Sequence, residues 1–482
     1  MVRASGTRRS GCRRALTAVA VAGVAAAAAA AAPTAPSELA AGELHAEVAT
    51  AADPARTYAL YLPSAHDGER RLPVVFAFDM RDGAADLAAA LAPGAERFGW
   101  IVAAPHGSSN LDSTAANAAR MSAVWADVLA RFPVDERRVY ALGFSGMARF
   151  ACRLAQTAPE RIAGVVGLHG GFSEEAPPAR TGAFPFFGVV GERDFTYYEL
   201  VDLEPRLAAL GIPSRFTYWP GSHERPPAEV AARALAWFEL RAMAGGLRPV
   251  DAALVAALWG EGQARARQAE REERWLAAER EWRALAEDFS PLADSAPARR
   301  RLAELAADAA VRAEREAEAR RLRRDRRALE RVPGLLAGAP ARATPSAVAD
   351  LVAALAIPDL RQKRAEHPER GERFAAERVL YAIYVQTGIY APRRLAERGE
   401  IERAVLLLEV AAAIEPEIPH VRFRLAVAHA RLGDERAALA TLEQAIDRGW
   451  DDRAAIENEP AFAALATSDA FRTLVARLPP AP

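Results

Sequence analysis

Cysteine is nearly absent: the chain holds two, Cys12 and Cys152. Cys12 precedes an apolar N-terminal run, so removing that run leaves Cys152 alone. That excludes an internal disulfide and any metal site built on thiolates. Lysine is rarer still, with Lys363 the single example, and arginine supplies every other basic side chain. Charge of one sign is also missing, since 62 basic residues face 63 acidic ones for a net charge of -1. Without a long-range field to gather phosphates or anionic lipid, nucleic acid is excluded as a partner class. His45, His66, His367, His420 and His429 form no pair at ligand spacing on a shared face. The sequence therefore predicts no metal and no cofactor.

What is present fits a soluble globular protein, with 51% hydrophobic and 26% charged residues over a length of 482 that calls for two domains or more. The N-terminus carries Arg3, Arg8, Arg9, Arg13 and Arg14 ahead of an apolar stretch from Ala15 to Ala32, followed by Pro33 and small residues. That order predicts a signal peptide over residues 1–41 and an exported protein, periplasmic or secreted. The alternative is an uncleaved anchor, the one route by which this chain would meet a membrane.

From residue 43 to 245 short apolar runs alternate with helical stretches, the pattern of an α/β domain with a mostly parallel sheet and covering helices. Expected strands are Tyr58 to Leu62, Val74 to Phe78, Ile101 to Ala104, Val139 to Phe144, Gly164 to Leu168, Phe186 to Val190 and Arg215 to Tyr218. They are β-branched or aromatic and lack polar alternation, as strands buried on both faces should. Expected helices are Ala84 to Phe98, Ala118 to Arg131, Gly146 to Ala158, Tyr198 to Leu210 and Ala228 to Met243. After Gly245-Gly246 the composition turns to Ala, Arg, Glu and Leu, and an all-α region is predicted. Residues 246–343 read as charged helices, broken near Ser290-Pro291 and Pro297, with an apolar seam of Trp275, Trp282 and Phe289, and then a linker over Pro333 to Pro345. Residues 344–482 read as a helical domain with an internal period of 34 residues. Gly399 pairs with Gly433 at that offset, Ala404 with Ala438, Leu408 with Leu442 and Ala411 with Ala445.

The densest chemical signal is Val139 to Met147, an apolar strand that runs through Gly143-Phe144-Ser145-Gly146 into a helix. A serine on such a sharp turn points its oxygen away from the sheet, and the N–H of Gly146 is left facing an anionic oxygen. Met147 departs from the glycine that the G-x-S-x-G pattern wants there. Serine needs a base to remove its proton, so an acid and a histidine must follow in that order. Asp194, in the loop after Phe186 to Val190, is the expected acid, with Glu192 as its rival. His223, after the strand Arg215 to Trp219, is the expected base. His106 and His169 also follow strands but precede the acid, and each reads as a hydrogen-bonded loop residue or at most a substrate contact. The backbone N–H of Met80, in Asp79-Met80-Arg81-Asp82-Gly83, is the expected second oxyanion donor, provided Arg81 neutralises the two carboxylates. Cys152 lies on the helix after Ser145 and reads as a packed thiol.

Together these residues resemble the α/β-hydrolase superfamily, in its branch of poly(3-hydroxybutyrate) depolymerase-like and feruloyl-esterase-like serine esterases. The resemblance covers about Glu43 to Met243 and rests on Tyr58 to Pro63, Phe98 to Val102, Gly143 to Gly146 and Gly221-Ser222-His223. It implies hydrolysis of a carboxylic ester through an acyl-enzyme, with no cofactor. The region from Leu395 to Arg448 resembles tetratricopeptide repeats, which implies a surface for a protein or peptide partner. Two alternatives stand beside the esterase: a hydrolase-fold scaffold of low or no activity that binds a partner through its repeats, and a serine peptidase of the same fold.

Overall fold

The computed structural model describes residues 39–479. The arginines and the apolar stretch Ala15 to Ala32, on which the expected signal segment and its alternative as an anchor rest, therefore lie outside the described residues. Among the described residues no helix is long and apolar enough to cross a membrane.

Eight strands form one sheet: β1 (Glu43–Ala49), β2 (Thr57–Leu62), β3 (Leu72–Phe78), β4 (Ile101–Pro105), β5 (Val134–Phe144), β6 (Gly164–Leu168), β7 (Phe186–Gly191) and β8 (Ser214–Trp219). Their order is β1-β2-β4-β3-β5-β6-β7-β8. β1 pairs antiparallel with β2, and β2 with β4, whereas β3 runs parallel to both β4 and β5 and β7 runs parallel to β8. Every residue of β3, Leu-Pro-Val-Val-Phe-Ala-Phe, is buried. A central parallel strand covered on both faces needs such an uninterrupted apolar run. All seven expected strands are present. β1 is the addition, and most of its residues are exposed, so no apolar run announces it; it exists because its backbone pairs with the edge of β2.

Five helices connect or follow the strands: α1 (Ala84–Phe98), α2 (Thr114–Arg131), α3 (Gly146–Thr157), α4 (Tyr197–Ala209) and α5 (Ala228–Ala244). The remainder is helical. It comprises α6 (Ala252–Arg271), α7 (Trp275–Asp288), α8 (Ala296–Ala307), α9 (Ala309–Ala337), α10 (Pro345–Ala354), α11 (Ile357–Glu366), α12 (Arg370–Val385), α13 (Ala391–Glu397), α14 (Ile401–Ile414), α15 (Pro419–Arg431), α16 (Glu435–Asp447), α17 (Arg453–Glu457) and α18 (Asp469–Ala476). The expected linker over Pro333 to Pro345 needs correcting, because α9 continues through Pro333 to Ala337. Val332, Leu335 and Leu336 pack into an apolar cluster with Leu351, Val379 and Leu407. That burial outweighs the backbone hydrogen bond a proline forfeits inside a helix. Gly399 and Gly433 both have positive φ, 78° and 74°, in the turns before α14 and α16. Each supplies the left-handed residue on which a helix can stop and reverse.

The described chain forms two compact units. The first runs up to Gly167 and includes Phe172–Pro185 and Ala231–Leu235. The second takes Leu168–Gly171, Phe186–Val230 and the chain from Ala236 onward. The loops that carry Asp194 and His223 thus belong to the same unit as the helical region.

Candidate active site

In the first unit Ser145 joins β5 to α3 with φ 59° and ψ -122°. A non-glycine residue at positive φ is uncommon, and here it lies outside even the ordinary left-handed basin, so the turn stores strain. Two glycines make room for it. A Cβ on Gly143 would collide with the carbonyl of Met147, and one on Gly146 with the side chain of Asn110. Strand and helix therefore approach closely at Gly143, and the turn forms with Met147 buried at its fifth position. Serine at a helix N-cap ordinarily bonds its own first turn; Ser145 makes no such side-chain cap hydrogen bond. The residue is 7% exposed. Cys152 is buried on α3, as the expectation of a packed thiol requires.

The loop after β3, with the expected donor Met80, is pinned by its own acids. Asp79 Oδ1 accepts from the backbone N–H of Arg81 at 2.8 Å and of Gly83 at 3.1 Å. The Asp82 carboxylate accepts from the N–H of Gly107, while the N–H of Asp82 donates to the Ser108 carbonyl at 3.0 Å. The Met80 carbonyl in turn accepts from the N–H of Asn110 at 3.1 Å. These backbone N–H groups fix the loop's shape as they bond the two carboxylates. His106 shares a hydrogen bond of 2.9 Å with Thr57 Oγ1, the loop role expected of it.

In the second unit, Asp194 and His223 meet. His223 Nδ1 lies 2.9 Å from Asp194 Oδ2 and 3.1 Å from Oδ1. An ionised carboxylate only accepts, so Nδ1 is the donor, and in that tautomer the lone pair lies on Nε2. Glu192, the rival acid, is engaged elsewhere: its carboxylate pairs with Arg370 at 2.9 Å and with Arg274 at 3.7 Å. His169 corrects the expectation of a bland loop residue. It is fully buried at the end of β6 with φ 57°, and its Nδ1 bonds the same Asp194 Oδ2 that His223 uses. Asp194 Oδ1 also accepts from the N–H of Thr196 at 2.8 Å. Burial pushes the Asp194 pKa up, yet the hydrogen bonds and charges of His169 and His223 outweigh it and hold the carboxyl below its usual range.

His169, Asp194 and His223 also offer ligand atoms within 4.8 Å of one another, a donor set that could hold a divalent cation. The 2.9 and 3.1 Å contacts of His223 are those of hydrogen bonds. Two ligands sharing one zinc at 2.0–2.1 Å each would stand roughly 3.3 Å apart.

The acid loop rests on the helical region. Arg378 of α12 is 3% exposed and donates to the Glu192 carbonyl at 3.0 Å. It also lies 3.6 Å from both Glu318 and Asp325 of α9. Those two carboxylates accept the hydroxyl protons of Tyr197 and Tyr198, at the start of α4, each at 3.1 Å. Glu377 pairs with Arg193 at 3.3 Å. The His223 ring itself packs on Phe195, with centroids 4.6 Å apart, and faces Tyr381 of α12 at 6.3 Å. None of these tail residues is foreseen by the sequence reading.

No protein-family model matches the sequence, and no curated protein does. Among solved structures, an S-formylglutathione hydrolase from Staphylococcus aureus is 14% identical, covering 41% of this chain and 98% of that one at a TM-score of 0.32. Est1E from Butyrivibrio proteoclasticus is also 14% identical, covering 39% and 95% at a TM-score of 0.30. An esterase from Pyrobaculum calidifontis is 16% identical, covering 42% and 86% at a TM-score of 0.33. These likenesses are too slight to argue from, so the chemistry is read from the chain's own residues.

Proposed function

We propose that the chain is an exported serine hydrolase of carboxylic esters, with Ser145 as nucleophile, His223 as base and Asp194 as the acid that orients it. The observation that carries this reading is the hydrogen bond of His223 Nδ1 to the buried Asp194, which leaves Nε2 able to take a proton. The strained backbone of Ser145 supports it, since such strain clusters where function over-determines a residue. In this mechanism His223 Nε2 accepts the hydroxyl proton as Ser145 Oγ attacks the ester carbonyl. The N–H groups of Gly146 and Met80 receive the developing oxyanion, and the proton passes to the departing alcohol. Water then repeats the sequence on the acyl-enzyme and releases the carboxylic acid. Protein or peptide binding by the helix hairpins belongs to the same proposal, carried by the 34-residue period.

The test is a fluorophosphonate probe together with p-nitrophenyl butyrate. Labelling that Ser145→Ala abolishes, with ester turnover lost in Ser145→Ala and nearly lost in His223→Ala, is the expected result. Wild-type protein that neither labels nor turns over ester leaves the scaffold reading, and a preference for a peptide anilide over the ester moves the assignment to a peptidase.

A further inference from the structure

The helical region forms a half-open cavity of about 580 Å³ that the esterase reading does not use. Its walls are part apolar and part polar, with Leu336 of α9, Val385 of α12, Leu395 of α13 and Leu407 of α14 on the apolar side. The charged side chains that line it are all arginines, Arg394, Arg398 and Arg403, beside the amide of Gln386 and with no carboxylate. Arg403 is committed, since it donates to the carbonyls of Leu336 and Ala337 and lies 3.5 Å from Glu400. Arg394 and Arg398 are exposed, and among the described residues neither forms an ion pair. In a chain with as many acids as bases, a pocket whose charged lining is solely cationic is a selective feature. Gln386 opens the π-helical turn Gln386–Tyr390 between α12 and α13. Such a turn is rare and recurs at ligand sites, because it widens the helix and turns backbone and side chains toward a neighbouring space.

We propose that this cavity binds an aliphatic carboxylate, with its chain among the leucines and valines and its head on Arg394 and Arg398. The volume falls in the range of small-molecule sites. Burying the methylenes supplies the affinity, and the two guanidiniums select the charge. The cavity also touches Phe195, the neighbour of Asp194 whose ring packs on His223. Occupancy is therefore felt at the base, and a carboxylate is the product class of ester hydrolysis. This last coupling rests on the esterase reading; the binding itself does not.

Calorimetric titration of the full chain with sodium octanoate, decanoate and dodecanoate below their micelle concentrations tests the proposal. Saturable one-site binding is expected, tightening by about fourfold for each added methylene. In the exposed double variant Arg394→Ala/Arg398→Ala the Kd for dodecanoate rises by about tenfold or more, with the circular dichroism melt unchanged. Ala337→Trp, at a lining position, weakens binding by filling the space. Absence of saturable binding, an unaltered Kd in the double variant, or equal affinity for dodecyltrimethylammonium overturns it. If dodecanoate binds yet Ser145 never labels, the site stands and the esterase reading alone falls.

Discussion

Ser145 and His223 stand on parts of the molecule that are built in different ways. The serine turn is local: Gly143, Ser145, Gly146 and Met147 shape it within five residues, and one neighbour, Asn110, closes in from a loop. The proposed acid and base are long-range: Asp194 takes bonds from His169 and His223, and its loop is gripped by Arg370, Glu377 and Arg378, more than 170 positions away. A local turn demands little of the rest of the chain. A loop held from afar ties the Asp194–His223 pair to the packing of the helical region, which then acts as a brace whether or not it also meets a partner.

The largest effect that would sharpen this contrast is at its centre. Asp194→Asn should lower kcat for ester by about 10⁴-fold, because an amide no longer enforces the Nδ1–H tautomer of His223, and steady-state kinetics checks it. Next, Arg378→Ala should destabilise the protein by about 3–5 kcal/mol in urea unfolding, since Glu318 and Asp325 lose a buried counter-charge. If Arg378→Ala costs under 1 kcal/mol, the brace is idle and the comparison breaks. Gly143→Ala should cost about 1–3 kcal/mol and remove fluorophosphonate labelling, because the methyl meets the Met147 carbonyl. Arg370→Ala, whose partner Glu192 is partly solvated, should cost less than about 1 kcal/mol and leave labelling intact.

A further expected outcome concerns acid. The Asp194 pKa is lowered in the folded state, so its stabilising contribution is complete above the unfolded value of about 3.9 and fades as pH falls from there toward the lower folded value. Acid titration of stability should therefore show a steeper loss below about pH 4 in the wild type than in Asp194→Asn.

Much of the first unit is legible in the sequence. Its strands are uninterrupted apolar runs, and strand, serine and helix around residue 145 follow one another without a gap, so period and composition suffice. β1 escapes because an exposed edge strand has no apolar run. His169 is visible as a histidine after a strand but is set aside by the rule of chain order, which carries no information about distance. Pro333 misleads for the opposite reason, as local propensity yields there to the burial of Val332 and Leu336.

By itself, then, the sequence determined the strand and helix periods and the glycine-flanked serine, because each is written in neighbouring residues. Only the tertiary structure decided that Asp194 rather than Glu192 receives His223, that His169 shares that carboxylate, and that α12 supports the loop. Those choices depend on which side chains reach a common point, and electrostatic and packing energies act through space, whatever the separation along the chain.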